Sequence, residues 1–462
     1  MPHLFPPLHA GRGGRGRRKF EHAFRVFFCP IRGIKSKNFV RRCVGRICAY
    51  AVFLPPALKI GFEPKVSMDL RMSERAYLDW NATAPLRPEA RTAMMAALDQ
   101  VGNPSTVHHE GRSARHLIEQ ARERIAALVG AEPRNVMFTS GGTEGNMTAL
   151  SPALETPQNR GGFDRLMISA IEHASVRAGG SFAPGQVEEI PATSDGVVDI
   201  GALERRLVEL QRQGARPPLV SIMAANNETG VIQPVEAAAA AIHTAGGLLH
   251  VDAAQVAGRI PFDISGSGAD LLTVSAHKLG GPQGVGALIK QSETLHLAQP
   301  LLRGGGQERG ARAGTENVAG IAGFGGAAAS AIATMAADGE RMRSLRDRLE
   351  SGLAAGPTVV FGRNAERLPN TSLFAAPGLR AETALINLDL AGFAVSSGSA
   401  CSSGKVAASH VLAAMGMPEN LGSGAIRLSI GPTTSENEID LFLKAWMKLL
   451  AGLSKRKRGL AA

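Results

Sequence analysis

Leu248-Leu249-His250-Val251-Asp252 and Leu271-Leu272-Thr273-Val274-Ser275-Ala276-His277-Lys278, the two ends of residues 248–278, decide how this chain folds. Each is a short apolar run that finishes on polar side chains, a carboxylate in one and a lysine in the other. Runs of this length, rich in Leu and Val, suit strands buried on both faces. Similar runs occur at residues 136–139, 166–169, 219–223 and 285–289, and helical or loop segments separate most of them. Strands alternating with helices predict an α/β fold with a mainly parallel sheet covered on both sides. Ligands of such sheets bind beyond the carboxyl ends of the strands, so the residues that end these runs are the candidates for chemistry.

Outward from this core, residues 88–98 and 112–129 repeat apolar side chains at helical spacing. A long helix rich in alanine and glycine is predicted from residue 321 to about 353. Beyond it, strands at 358–361, 371–374 and 426–430 and helices at 382–388 and 435–450 predict a smaller α+β domain. The boundaries expected are 76–332 for the large domain and 333–462 for the small one.

At 462 residues, 44% of them hydrophobic, the chain is long enough for two or more domains. Its net charge of +11 comes from the front end, since residues 1–75 hold 16 Lys and Arg against 4 Asp and Glu. The rest is close to neutral, which removes the case for a nucleic-acid partner. The extension reads best as basic, disordered or non-native sequence ahead of a start near Met68 or Met72, with an Arg-rich targeting peptide or a nucleic-acid arm as the alternatives. Its best apolar run, residues 47–54, is too short to cross a bilayer. Cys29, Cys43 and Cys48 match no zinc spacing and imply no disulfide framework, so the body reads as cytoplasmic.

Asp252 and Lys278 would share one edge of the sheet. A carboxylate for a pyridine nitrogen and a lysine for a Schiff base are the minimal equipment for pyridoxal phosphate. Thr139-Ser140-Gly141-Gly142-Thr143-Glu144 follows a strand and opens a helix, where glycines let backbone N–H groups approach a phosphate. Ser275 and His277 flank the lysine and could join that contact. His173, after the strand at 166–169, could stack on a ring and move protons. Asn227, after the strand at 219–223, and Gln255, one turn beyond Asp252, could bond a ring oxygen or a substrate carboxylate. Arg427 lies in an apolar strand, where a substrate carboxylate or a buried Asp or Glu would balance it. Cys401 sits in Ser396-Ser397-Gly398-Ser399-Ala400-Cys401-Ser402-Ser403-Gly404, a stretch too polar to bury a thiol and suited to keeping it reactive. Taken singly, each residue has an ordinary explanation as a cap, a turn or a solvated charge.

Taken in order, they resemble a family. Gly102-Asn103-Pro104-Ser105, the Thr-Ser-Gly-Gly-Thr-Glu turn, Glu172-His173, Asn226-Asn227-Glu228, Asp252-Ala253-Ala254-Gln255, Ser275-Ala276-His277-Lys278, Gly304-Gly305-Gly306-Gln307-Glu308 and the cysteine loop are similar to the cysteine desulfurases of the NifS/IscS type. These belong to the pyridoxal-phosphate-dependent class V aminotransferase superfamily. The resemblance runs from Tyr77 to the C-terminal helix and implies transferase fold type I, with a seven-stranded sheet.

It further implies that Lys278 carries the cofactor, Asp252 pairs with its pyridine nitrogen and His173 stacks on the ring. Gly142, Thr143, Ser275 and His277 would hold the phosphate, with Thr315 of the neighbouring subunit of a homodimer. Gln255 would bond the ring oxygen, and Asn227 and Arg427 the substrate carboxylate. Cys401 would take sulfur from L-cysteine as a persulfide, leaving alanine, and pass it to an iron–sulfur scaffold or another acceptor. No resident metal is implied, and Cys401 is at most a transient iron–sulfur ligand. Trp80, Ala84, Gly145 and Gln283 depart from the common pattern. The rival readings are a selenocysteine lyase, a class V aminotransferase with no use for Cys401, and a catalytically inactive binding protein.

Overall fold

The computed structural model describes residues 75–157, 159–398 and 409–460. Cys401 and the extension through residue 74 lie outside the described residues. The larger sheet has seven strands: β1 (Val136–Thr139), β2 (Leu166–Ser169), β3 (Val187–Ile190), β4 (Leu219–Met223), β5 (Leu248–Asp252), β6 (Leu271–Ser275) and β7 (Gly286–Lys290). Their spatial order is β1-β7-β6-β5-β4-β2-β3. The pairs from β3 through β6 are all parallel, whereas β7 is antiparallel to both its neighbours. Every residue of β1, β2, β4 and β6 is buried, which is why these strands read as nearly unbroken apolar runs.

Six of the strands match the sequence reading to within a residue or so. The edge strand β3 was missed because Val187-Glu188-Glu189-Ile190 carries charge in its middle. Those carboxylates have partners, Arg206 Nε to Glu188 at 2.8 Å and Arg177 to Glu189 at 2.8 Å. Charge along an unpaired edge also discourages another strand from adding there.

Three helices cross near the sheet: α1 (Pro88–Leu98), α2 (His109–Leu128) and the long α4 (Val318–Leu353), with the short α3 (Gly142–Ala149) following β1. The glycines of α4 explain its composition. A Cβ at Gly325 would stand 2.7 Å from the Ala121 backbone in α2, and one at Gly326 would stand 2.8 Å from Glu89 O in α1. Small side chains thus let three helices approach closely. By length and composition α4 could cross a membrane, yet its first turns are buried against these neighbours.

A second sheet holds β8 (Val359–Val360), β9 (Thr371–Ala375), β10 (Ser396–Ser397) and β11 (Ile426–Ser429), all antiparallel, in the order β8-β9-β11-β10. The helices α5 (His410–Ala414) and α6 (Glu436–Leu460) follow β10 and β11 in the chain. Phe374 of β9 meets Trp446 of α6 edge-on, with ring centroids 5.0 Å apart, and Phe442 lies beside both. Trp446 is fully buried, and its Nε1 donates to Thr358 Oγ1 at 3.1 Å. Truncating such an aromatic costs about 3–5 kcal/mol. Ala76–Tyr77 pairs in parallel with Phe393–Ala394, and Asp79 bridges to Ser429, so the first described residues are built into the C-terminal part of the structure.

Candidate active site

The carboxyl ends of β2, β4, β5 and β6 and the start of α3 converge on a cavity of about 310 Å³. Its lining includes Gly142, Thr143, His173, Asn227, Asp252, Gln255, Ser275, His277, Lys278 and Arg427. Parallel strands bring these residues together although the sequence spreads them from 142 to 427. A larger groove of about 1020 Å³, near Arg122 and Glu308, shares none of them.

Asp252 closes β5 and is buried. Its Oδ1 accepts from Ala254 N at 2.9 Å and its Oδ2 from Asn146 Nδ2 at 2.8 Å. The second N–H of Asn146 goes to Ser175 Oγ at 2.9 Å, and the Ser175 hydroxyl meets His173 Nδ1 at 2.8 Å. Because Ser175 N also donates to Nδ1, at 3.2 Å, this nitrogen is an acceptor and the proton of the neutral ring belongs on Nε2. Asn146 and Ser175 therefore tie Asp252 to His173. The sequence reading missed both as site residues. The signal was present in Asn146, which lies one helical turn beyond Gly142 on α3.

Lys278 Nζ donates to Asn81 O at 2.6 Å and to Ala82 O at 2.9 Å, which holds it at the cavity wall. His277 Nδ1 lies 3.1 Å from Thr83 Oγ1, and burial, with the charges of Lys278 and Arg259, lowers its pKa to about 4. The ring is thus neutral at physiological pH. Asn81, another residue the sequence reading missed, also receives Gln255 Nε2 at 3.3 Å and donates to Asn227 O at 3.2 Å.

The start of α3 has the form expected of an anion cradle. Gly141 has φ of 155° with open space where a Cβ would stand, and the first N–H groups of the helix have no partner within it. Gly145, one of the departures from the family pattern, is explained by packing: a Cβ there would meet Thr273 Cγ2 at 2.8 Å. Trp80 is likewise accommodated by a glycine, since a Cβ on Gly431 would fall 2.1 Å from its ring. Ala84 is buried, and Gln283 borders the neighbouring pocket that Thr143 and Ser275 also line.

Arg427 is 2% exposed and does have the carboxylate partner that its setting requires. Its Nη2 donates to Asp79 Oδ1 at 2.7 Å and its Nη1 to Asn227 O at 3.0 Å. Its Nε is buried with no hydrogen-bond partner, and the residue lines the cavity. Glu172, beside His173, is fully buried. Burial pushes its carboxyl well above the usual carboxylate range, while the Met223 N–H at 2.6 Å opposes the shift and Asp252 adds to it. Thr315 is outside this cavity. It lines a separate pocket of about 210 Å³ with Ser140 and Arg312.

The donor set fits pyridoxal phosphate: a helix start and hydroxyls for the phosphate, a buried carboxylate for the pyridine nitrogen, and an amine lining the same cavity.

The sequence profile of the aminotransferase class-V family matches residues 76–442. A cysteine desulfurase of Cereibacter sphaeroides is 44% identical over 379 residues, which span 80% of this chain and 94% of that protein. Among solved structures, a NifS-like protein from Rickettsia africae is similar with a TM-score of 0.73 and 35% identity, covering 82% of this chain and 99% of the other. SspA in complex with cysteine is similar with a TM-score of 0.64 and 26% identity, over 78% of this chain and 100% of the other.

Proposed function

The chain belongs to the aminotransferase class-V family, and from that premise we infer that it is a pyridoxal-phosphate-dependent cysteine desulfurase, which converts L-cysteine to L-alanine and keeps the sulfur as a persulfide on Cys401. The observation that carries this reading is the meeting of Lys278 and Asp252 in one cavity, at the ends of adjacent parallel strands. Bound cofactor supplies an aldehyde for amine exchange and an electron sink for the substrate Cα.

The protein supplies the rest. Lys278 Nζ takes the proton from the substrate Cα and returns it on the way to alanine. Asp252, held by Ala254 and Asn146, keeps the pyridine nitrogen protonated. His173, its Nδ1 occupied by Ser175, would stack on the ring and keep Nε2 for moving protons. Arg427 and Asn227 orient the substrate carboxylate. The Cys401 thiolate attacks the substrate sulfur, so a Cβ–S bond breaks as an S–S bond forms. In net terms the enzyme thiol plus cysteine gives the enzyme persulfide plus alanine, with no external oxidant.

The same reading includes a homodimer, in which Thr315 serves the neighbour's cavity; its place outside its own cavity supports this. It includes an iron–sulfur scaffold or other thiol acceptor for the persulfide, and the cytoplasm as the compartment. The test is alanine and sulfide release from cysteine by the holoenzyme and two variants. Cys401→Ser is expected to keep the visible band of the bound cofactor and lose sulfide release, and Lys278→Ala to lose both. Unchanged sulfide release by Cys401→Ser would overturn the mechanism.

A further inference from the structure

Arg259 is a buried guanidinium, 7% exposed, with no role in the steps above. Among the described residues no carboxylate pairs with it, which is an expensive arrangement for a buried cation. Its donors go instead to Gln255 Oε1, to Gln255 O at 3.2 Å, to Trp80 O at 3.2 Å and to Lys278 O at 3.2 Å. One side chain thereby joins the segment after β5, the segment after β6 and the turn that contributes Asn81.

The contacts of Gln255 decide which way its amide faces. A guanidinium only donates, so the Gln255 oxygen belongs on the Arg259 side. The Asn81 carbonyl only accepts, so Nε2 belongs on the other side, at 3.3 Å. Turning the amide over would set donor against donor and acceptor against acceptor. With the oxygen committed, Gln255 has a second N–H to give, and it lines the Lys278 cavity. Burial, and to a lesser extent the charge of Arg427, brings the pKa of Arg259 down to about 9.

We infer that Arg259 is a positioning residue: it makes Gln255 present an amide N–H, rather than a carbonyl, to the ring oxygen of the cofactor, and holds the main chain beneath Lys278. The inference rests on the pyridoxal phosphate reading of the cavity. A donor at the ring oxygen stabilises its negative charge and weakens that oxygen's hold on the proton of the nitrogen linking Lys278 to the cofactor. Loss of the donor therefore raises the pH at which that nitrogen deprotonates.

The experiment is a pH titration of the visible absorption band in the holoenzyme, with Arg259→Met, Gln255→Leu, the double variant and Arg259→Lys. Each of the first two is expected to move the midpoint upward by about one pH unit, and the double variant no further than either. Arg259→Lys, which keeps a donor toward Gln255 Oε1, is expected to recover most of the wild-type midpoint; if Arg259→Met does not fold, Arg259→Gln takes its place. A wild-type midpoint in either single variant, or additive shifts in the double, would overturn the inference. A wild-type protein with no visible band after addition of pyridoxal phosphate would instead overturn the cofactor reading itself.

Discussion

Ser409 Oγ donates a 2.6 Å hydrogen bond to Glu228 Oε2, and the same oxygen lies 3.1 Å from where a Cβ on Gly398 would stand. The described residues on either side of the Cys401 segment thus meet one buried carboxylate, which follows β4 beside Asn227. Ser409 Oγ also accepts from Leu412 N at 3.1 Å and caps α5, while His410 Nε2 donates to Glu172 O at 2.9 Å, next to His173. The foot of α5 is therefore attached to the strand ends that carry the site.

Replacing Ser409 by alanine removes a helix cap worth about 1 kcal/mol and a bond to Glu228. Sulfide release is expected to fall several-fold while the visible band of the bound cofactor stays as in the wild type. Ser409→Thr, which keeps the hydroxyl, should recover most of the rate. A wild-type rate in Ser409→Ala would show that this attachment does not matter for the thiol's approach.

Asp252→Asn tests the carboxylate. The substituted amide could still accept from Ala254 N, but its NH₂ would face that of Asn146, and it carries no charge for a protonated pyridine nitrogen. Turnover should drop by about 100-fold or more, or about 2.7 kcal/mol of barrier, with Lys278 still able to bind the cofactor. Single-turnover alanine formation together with the absorption spectrum checks both halves of this expectation.

His250 gives a pH prediction. It is buried between Ser221 Oγ at 2.8 Å and Thr273 Oγ1 at 2.9 Å, and burial lowers its pKa to about 4 despite the nearby charge of Asp252. A base depressed on folding contributes stability that is whole above its unfolded value, about 6.5, and is lost as pH falls through that value towards 4. The loss is on the order of 3 kcal/mol. His250→Asn, which cannot take up that proton, should flatten the fall of Tm between pH 6.5 and 4. An unchanged acid limb in thermal unfolding would contradict it.

How far the site could be read from sequence depended on how local each signal was. Asp252 and Lys278 end apolar strands, and Gly142 opens a helix, so their neighbours announced them. Asn146 and Ser175 were not legible as partners, because a polar residue in a helix looks the same whether it faces water or joins two catalytic groups. Glu172 was noted only beside His173, and the burial that raises its carboxyl depends on packing with β4. The Asp79–Arg427 ion pair spans 348 residues, a distance at which no spacing rule applies. The edge strand β3 was hidden by its charges, which only the arginines around it explain.

The parallel pairing of Ala76–Tyr77 with Phe393–Ala394 has a consequence for how this protein can be cut or made. The C-terminal part does not contain all of its own secondary structure, since one strand and the counter-ion of its buried arginine come from the opposite end of the body. During synthesis those residues must wait for the last portion of the chain, so native topology closes late and over a long loop. A fragment beginning at residue 333 would expose an open edge and an uncompensated cation, and supplying residues 76–81 as a separate peptide is the natural way to restore it.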